Sequence, residues 1–150
     1  MTDEHGPDVP EQRKYLPTLA ELIDRLSIVL LKSIFIPENR KAYLVERDLI
    51  EHDIDLAVKS TPMWIYAEEI RAILMLMLAN HTIWMNESVA RAGGKGQDAL
   101  LKFTHSINGI RTTAKNKIAE AAGERVDLKA DCLASDLPPE FGNWNVWDDA

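Results

Sequence analysis

The sequence of 150 residues predicts an all-α protein, an antiparallel bundle of four long helices. Three observations support this fold class. Apolar residues recur with a helical period in four stretches, start or stop signals bound each stretch, and no stretch alternates apolar and polar residues for long enough to form a sheet. Short connections between long helices favour antiparallel neighbours. The length suits one hydrophobic core, so we expect a single domain.

The first two helices have recognisable boundary residues. Thr18 and Glu21 have the spacing of a capping box, so helix 1 is expected to begin there and to continue to about Phe35. Pro37 cannot continue a helix, and Asn39 is placed to cap helix 2. The sequence therefore predicts a helical hairpin in this half of the chain.

The second pair of helices is bounded in the same way. Thr61 followed by Pro62 predicts that helix 3 begins at the proline, with the threonine as its cap. The glycine-rich segment 93–96 ends this helix. Asp98 opens helix 4, which is expected to reach about Ala122.

The two ends of the chain differ from the helical part. Residues 1–16 are acidic, lack apolar periodicity and are predicted to form a disordered arm. Residues 17–134 form the predicted bundle domain. Residues 135–150 carry prolines together with Trp144 and Trp147, and exposed indoles are unfavourable in water. This tail is therefore expected to dock on the bundle or on a neighbouring subunit.

Composition excludes several classes of protein. The formal net charge of −7 argues against nucleic acid as the main partner. The longest apolar stretch, 70–79, is too short to span a membrane, and the N-terminus lacks the apolar core of a secretory signal. The single cysteine, Cys132, cannot form an intramolecular disulfide. We therefore expect a soluble cytoplasmic protein.

Acidic residues fall inside the apolar faces of the first two helices. Asp24 lies within the apolar arc of helix 1, and Glu46 and Asp53 lie within that of helix 2. Burying a carboxylate destabilises the fold by a desolvation free energy on the order of several kcal/mol, unless a cation or hydrogen-bond donors contact the carboxylate. These acids therefore require partners on other helices.

The other two helices carry polar stripes beside their apolar faces. Helix 3 places Asn80 and Glu87 two turns apart with Trp84 between them. Segment 97–121 of helix 4 has four Lys or Arg against two acids, a net charge of +2. Its stripe has spacings of four, three and four residues and consists of Thr104, Asn108, Arg111 and Lys115. This stripe needs anions, which either the inward carboxylates of a structural network or a ligand phosphate would supply.

Predicted inward acids outnumber the inward bases, so a divalent metal is expected. The five acids are Asp24, Glu46, Asp53, Glu69 and Glu87, and the two bases are Arg111 and Lys115. Mg²⁺ or Mn²⁺ would offset the surplus because both prefer oxygen ligands. The expected pocket holds a phosphorylated small molecule between this metal and the cations, with a tryptophan available to stack on a base. The candidate metal ligands are Asp24, Glu46, Asp53 and Glu87. The candidate ligand-binding residues are Asn80, Trp84, Asn108, Arg111 and Lys115.

One resemblance rests on helices 3 and 4. The pattern Asn80-xxx-Trp84-xx-Glu87, followed by the INGIR helix that carries Asn108 and Arg111, resembles an uncharacterised all-helical family of small phage and bacterial proteins. The opening of helix 1, ELIDRLSIVLLK, is also similar to that family. The resemblance covers about residues 18–118; it implies an all-helical fold and brings no established function.

A second resemblance is architectural. All-α nucleoside triphosphate pyrophosphatases also place metal-binding carboxylates and an Asn/Lys/Arg set inside a helical bundle. Glu21-xx-Asp24 matches the ExxD half of their motif, whereas the EExxE half is not met, since Asp48-xx-Glu51 follows in reversed order. If the chain is an enzyme, this resemblance implies a metal-dependent hydrolase similar to the nucleotide pyrophosphohydrolases.

Two functions are therefore carried forward. The first is binding of a nucleotide or related phosphorylated small molecule with a divalent metal, with hydrolysis of a phosphoanhydride left open. The alternative is a non-enzymatic acidic interaction protein, for instance a phage-type inhibitor or adaptor of a host protein, acting through the arm, helix 2 and the aromatic tail. A homo-oligomer is expected in either case, because helices 1 and 3 offer little polar surface for a monomer.

Overall fold

A computed structural model of the chain confirms the all-helical fold. The structure describes residues 11–62, 65–93, 97–128, 137 and 139–148, and within these ranges it contains no strand. The four helices are α1 (Leu19–Phe35), α2 (Arg40–Ser60), α3 (Ala67–Arg91) and α4 (Gln97–Ala122). Single 3₁₀ turns span Pro37–Asn39 and Pro139–Phe141.

The start of α1 is fixed by two carboxylates. The predicted capping box is confirmed: the Thr18 hydroxyl accepts from the backbone N–H of Glu21, and the Glu21 carboxylate accepts from the backbone N–H of Thr18. In addition, the backbone N–H of Leu19 donates to the carboxylate of Glu124, at 2.9 and 3.1 Å to its two oxygens. Negative charge at a helix N-terminus stabilises the helix, so the segment after α4 helps to hold the first turn of α1.

The predicted start of helix 3 at Pro62 is wrong. α2 extends to Ser60, and Thr61 is extended, with φ −106° and ψ 148°. The ring of a proline disfavours the helical conformation in the residue before it, so Thr61 ends α2 instead of capping α3. Its hydroxyl donates back to the carbonyl of Val58 at 3.3 Å. α3 begins only at Ala67.

α1 is the central helix of the described structure. It packs on each of the other three helices, α3 packs on α4, and α2 contacts α1 but neither α3 nor α4 within the described residues. Hydrogen bonds pair Leu19 with Glu124 and Asp24 with Arg111, the order expected where α1 and α4 run in opposite directions. The antiparallel arrangement of all four helices stays a prediction. The largest fully buried side chains are Leu19, Val29, Leu31, Leu76, Ile107 and Ile118.

The C-terminal aromatic segment packs on the chain's own helices. Phe141 stacks on Phe103 of α4 with ring centroids 4.3 Å apart, and Trp144 meets Phe103 edge-on at 6.5 Å. The indole N–H of Trp144 donates to the carbonyl of Phe141, and Leu137 is buried in the same cluster. Phe141 and Trp144 thus contact α4 of the same chain, and the docking of the whole segment 135–150 stays a prediction.

Trp147 extends this contact to the start of α3. Its ring lies 6.0 Å from the guanidinium carbon of Arg71 and 5.7 Å from the ammonium of Lys117, within the range of cation–π attraction. Arg71 also donates to the carbonyl of Val146 at 3.0 Å. The tail thus bridges α3 and α4.

The predicted arm is only partly described. Residues 1–10 and residues 129–136, which include Cys132, lie outside the described residues. Residues 11–17 are exposed and form no helix. None of the described helices combines the length and apolar character that crossing a membrane requires.

Candidate functional site

A cluster of polar side chains lies between α1, α3 and α4. Asp24 and Ser27 come from α1, Asn80 from α3, and Arg111 and Lys115 from α4; we call these five residues the polar cluster. The predicted inward position of Asp24 is observed, since the residue is only 6% exposed. Its place on α1, the central helix, brings this carboxylate within reach of both other helices.

The strongest contact in the polar cluster joins Asp24 to Arg111. The guanidinium donates from Nε to Oδ1 at 3.0 Å and from Nη2 to Oδ2 at 2.5 Å, a bidentate pair. The Nζ of Lys115 lies 3.8 Å from Oδ2, beyond hydrogen-bond distance. One carboxylate therefore faces two cations but is hydrogen-bonded to only one of them.

The buried amide of Asn80 completes the polar cluster. Its Nδ2 donates to Oδ1 of Asp24 at 2.8 Å and to Oγ of Ser27 at 2.6 Å. The Ser27 hydroxyl in turn donates to the backbone carbonyl of Asp24 at 2.7 Å. A network with its donors and acceptors paired in this way can be buried without a large penalty.

These contacts set the ionisation of Asp24. Burial opposes the charged form by desolvation, but hydrogen bonds from Arg111 and Asn80 outweigh it, aided by the charges of Arg111 and Lys115. The net result is a pKa of Asp24 below its usual value. The carboxylate is therefore ionised at neutral pH, which suits a charge partner rather than a general acid.

The charge balance of the polar cluster differs from the sequence expectation. The sequence predicted a surplus of inward carboxylates, whereas Asp24 is the only carboxylate in the cluster and faces both Arg111 and Lys115. One negative and two positive groups leave a surplus of one positive charge. A cluster of this sign attracts anions rather than cations.

The other predicted metal ligands lie outside the polar cluster. Glu46 is half-buried on α2, and Glu87 is exposed and pairs with Arg91 at 3.8 Å. Asp53 was predicted to face inward, but 62% of its side chain is exposed and it contacts the ring of His52 at 3.2 Å. The inward position of Asp53 is wrong because, among the four helices, only α1 packs on α2, and much of the α2 surface is exposed in the described structure.

No three His, Cys, Asp or Glu side chains of the described residues are grouped as a metal ion would need. Glu69 lies at the first turn of α3, where its carboxylate accepts from the backbone N–H of Tyr66 at 3.2 Å. The predicted Mg²⁺ or Mn²⁺ therefore stays a prediction without an assembled ligand set in the described part of the chain.

The predicted ligand-binding residues divide into two groups. Asn80, Arg111 and Lys115 belong to the polar cluster. Trp84 is half-buried and stacks on Phe35 of α1 with ring centroids 6.1 Å apart. Asn108 is an exposed residue of α4. The structure thus unites three of the five predicted residues and leaves Trp84 and Asn108 in other surroundings.

A cavity of about 390 Å³ opens beside the polar cluster. Lys115 belongs to both, so the second cation of the polar cluster lies at the cavity wall. The cavity is lined by residues at the start of α1, at the end of α4 and in the segment that follows α4. Its polar and aromatic lining includes Tyr15, Thr18, Glu21, Lys115, Asn116, Arg125 and Asp127.

Arg125 is the second cation at this cavity. Its Nη2 donates to the carbonyl of Leu16 at 2.6 Å and lies 3.4 Å from both carboxylate oxygens of Glu21. Its guanidinium carbon lies 3.9 Å from the ring centroid of Tyr15. Arg125 therefore holds the last residues before α1, including part of the predicted arm, against the bundle.

Asn116 positions the chain that follows α4. Its Nδ2 donates to the carbonyl of Asp127 at 2.8 Å, and its Oδ1 accepts from the backbone N–H of Asp127 at 2.9 Å. Sequence reasoning missed Arg125, Tyr15 and Asn116. The partners of Arg125 lie more than a hundred residues away in the chain, so no local spacing signals the contact.

Comparisons of the chain with protein-family models, with curated proteins and with solved structures gave no match. The two resemblances described above therefore stay predictions.

Proposed function

We propose that this chain binds a phosphorylated small molecule, such as a nucleotide, in the cavity beside the polar cluster. The observation that carries the proposal is the position of Lys115. It belongs to a cluster with a surplus positive charge, and it also lines a cavity that contains Arg125. A phosphate between these two cations would receive charge-assisted hydrogen bonds from both.

The size of the cavity suits this class of ligand. Pockets for small molecules span roughly 300–1,000 Å³, and this cavity has about 390 Å³. Tyr15 lies at its edge with an exposed ring. Aromatic rings bind bases by stacking, so the face of Tyr15 that Arg125 does not cover would take the stacking role predicted for Trp84.

The ion pairs of the two cations can yield to a phosphate. The pair between Arg125 and Glu21 is long, at 3.4 Å, and both side chains are more than one-third exposed. Exposed pairs of this kind contribute about 0–1 kcal/mol. The ammonium of Lys115 lies 3.8 Å from the Asp24 carboxylate, beyond hydrogen-bond distance. A phosphate that binds Lys115 would therefore break no hydrogen bond between these two side chains.

Isothermal titration calorimetry tests the proposal. The full chain is titrated with a nucleoside triphosphate, a nucleoside monophosphate and inorganic phosphate, each with and without Mg²⁺. We expect binding heat, and we expect Lys115→Met to weaken the affinity about tenfold or more, because a hydrogen bond to a charged group contributes about 1.5–3 kcal/mol. Lys59→Met, which removes the same charge from the exposed end of α2, is the matched control and should bind as the wild type does.

Each outcome has a definite meaning. Binding that depends on Mg²⁺ would support the predicted metal, and binding without Mg²⁺ would support the two cations alone. Absence of heat across the whole panel would reject the proposal. The alternative of a non-enzymatic interaction protein would then be favoured, with the exposed acidic residues of α2, Asp48, Glu51 and Asp55, as its surface.

A further inference from the structure

α2 has two apolar faces, of which only one is covered. Ile50 is buried and Ile54 half-buried, while Val45, Leu49 and Leu56 are exposed, with Leu49 as much as 66% accessible. When His52 is included, these exposed residues are separated by four, three and four residues along α2, which is the spacing found where two helices pack together. We call Val45, Leu49 and Leu56 the α2 row.

α3 carries a second exposed apolar row. Its residues share one face at helical spacing, and Leu74, the most exposed, is 64% accessible. We call this set the α3 row: Ile70, Leu74, Leu78, Met85 and Val89. Because α2 and α3 make no contact within the described residues, neither row covers the other inside one chain.

The two rows together expose enough apolar area for a protein interface. Their eight side chains, each about half exposed, present an area on the order of 800 Å², which is what each partner contributes to a standard protein interface. The rows therefore have the area that a specific dimer needs.

No described residue of the chain covers either row, since all eight side chains are exposed in the described structure. The aromatic tail, which could pack on apolar side chains, is engaged elsewhere, on Phe103 and Arg71.

The charge pattern permits a second copy of the chain as the partner. A chain of net charge −7 repels its own kind at long range, but no member of either row is charged, and interface centres are depleted of charge. One row lies on α2 and the other lies on α3. Packing α2 on α3 of another copy buries both rows at once, whereas packing α2 on α2 would leave the α3 row exposed.

We infer that the chain forms a two-fold symmetric dimer in which the α2 row of each copy packs on the α3 row of the other. Each copy thus supplies the α2–α3 contact that the single chain lacks. A two-fold axis closes this exchange, so no apolar row is left to propagate into a filament. This inference is independent of the proposed ligand.

Light scattering coupled to size-exclusion chromatography tests the dimer, at concentrations of about 10–100 μM. The wild type is expected at twice the chain mass of 16.9 kDa. Leu49→Lys in the α2 row and Leu74→Lys in the α3 row should each give the monomer mass. Glu51→Gln, an exposed change on α2 that also adds one positive unit, should leave the dimer intact. A monomeric wild type, or a dimer that survives both row variants, would overturn the inference.

Crosslinking keeps the test decisive if a lysine variant fails to fold. In a Cys132→Ser background, one preparation carries Leu49→Cys and the other carries Leu74→Cys. A short bismaleimide should crosslink Leu49→Cys to Leu74→Cys when the two preparations are mixed, and it should crosslink neither preparation by itself. Glu51→Cys should form no crosslink with either variant. Crosslinks confined to Leu49→Cys alone would place α2 on α2 and so contradict the exchange.

Discussion

Replacing Asp24 with asparagine is expected to lower the free energy of unfolding by about 3 kcal/mol, the size of effect seen when one partner of a buried ion pair is removed. Asparagine keeps the shape of the side chain but removes the charge that Arg111 and Lys115 share. These two side chains are only 28% and 20% exposed, so water would compensate them incompletely. The amide of Asn80 would also lose its charged acceptor.

Urea denaturation followed by circular dichroism measures this difference. Asp53→Asn is the matched control, because it makes the same chemical change at a side chain that is 62% exposed. We expect the control to stay within about 0.5 kcal/mol of the wild type. A loss below about 1 kcal/mol for Asp24→Asn would show that the polar cluster contributes little to stability.

The stabilising effect of Asp24 should depend on pH in a defined direction. Because the pKa of this carboxyl is lowered in the folded chain, its contribution is fully present above the unfolded value, about 3.9, and disappears as the pH falls through the lower folded value. The difference in unfolding free energy between wild type and Asp24→Asn should therefore be largest at neutral pH and should shrink below about pH 4. A difference that grows on acidification would contradict the assigned contacts.

Local chemistry made part of the fold predictable. The capping box at Thr18 and the stop at Pro37 act through neighbouring residues, so they can be read without knowledge of the tertiary structure. The helical wheel also placed Asp24 on the buried side of α1, because that helix is surrounded and nearly any inward position on it is covered.

The same reasoning failed on α2. A wheel gives the angle of a side chain on its own helix, but not whether another helix covers that angle. Val45 and Asp53 belong to an apolar arc that the wheel predicts to be buried, yet within the described residues α1 is the only helix that packs on α2. The exposure of both residues follows from how the helices assemble, which periodicity does not encode.

Pairing across long distances limited what could be predicted of the site. Asp24 and Arg111 were both recognised as inward groups, but the sequence could not tell that they bind each other, eighty-seven residues apart. The expected metal followed from counting five acids against two bases. Once the other four acids fail to join Asp24, the sign of the local charge reverses, and the preferred ligand changes from a cation to an anion.

The contact between the tail and α4 gives the second large expected effect. Phe141→Ala should lower the free energy of unfolding by about 2 kcal/mol, less than for a fully buried phenylalanine, because Phe141 is only half-buried. Its ring stacks on Phe103 at 4.3 Å. Glu140→Ala, in the same 3₁₀ turn and exposed, is the control and should have little effect.

A double-mutant cycle with Phe103→Ala separates the ring contact from general damage to the core. Stacked aromatic pairs couple by about 0.5–1.5 kcal/mol beyond their buried area, so the double variant should lose less than the two single variants combined. Repeating the cycle at several protein concentrations then distinguishes a tail that docks on its own chain from one exchanged between copies. Coupling that is independent of concentration follows from the intramolecular contact, whereas coupling that vanishes on dilution would mean that the tail, and not only the α2 and α3 rows, joins two chains.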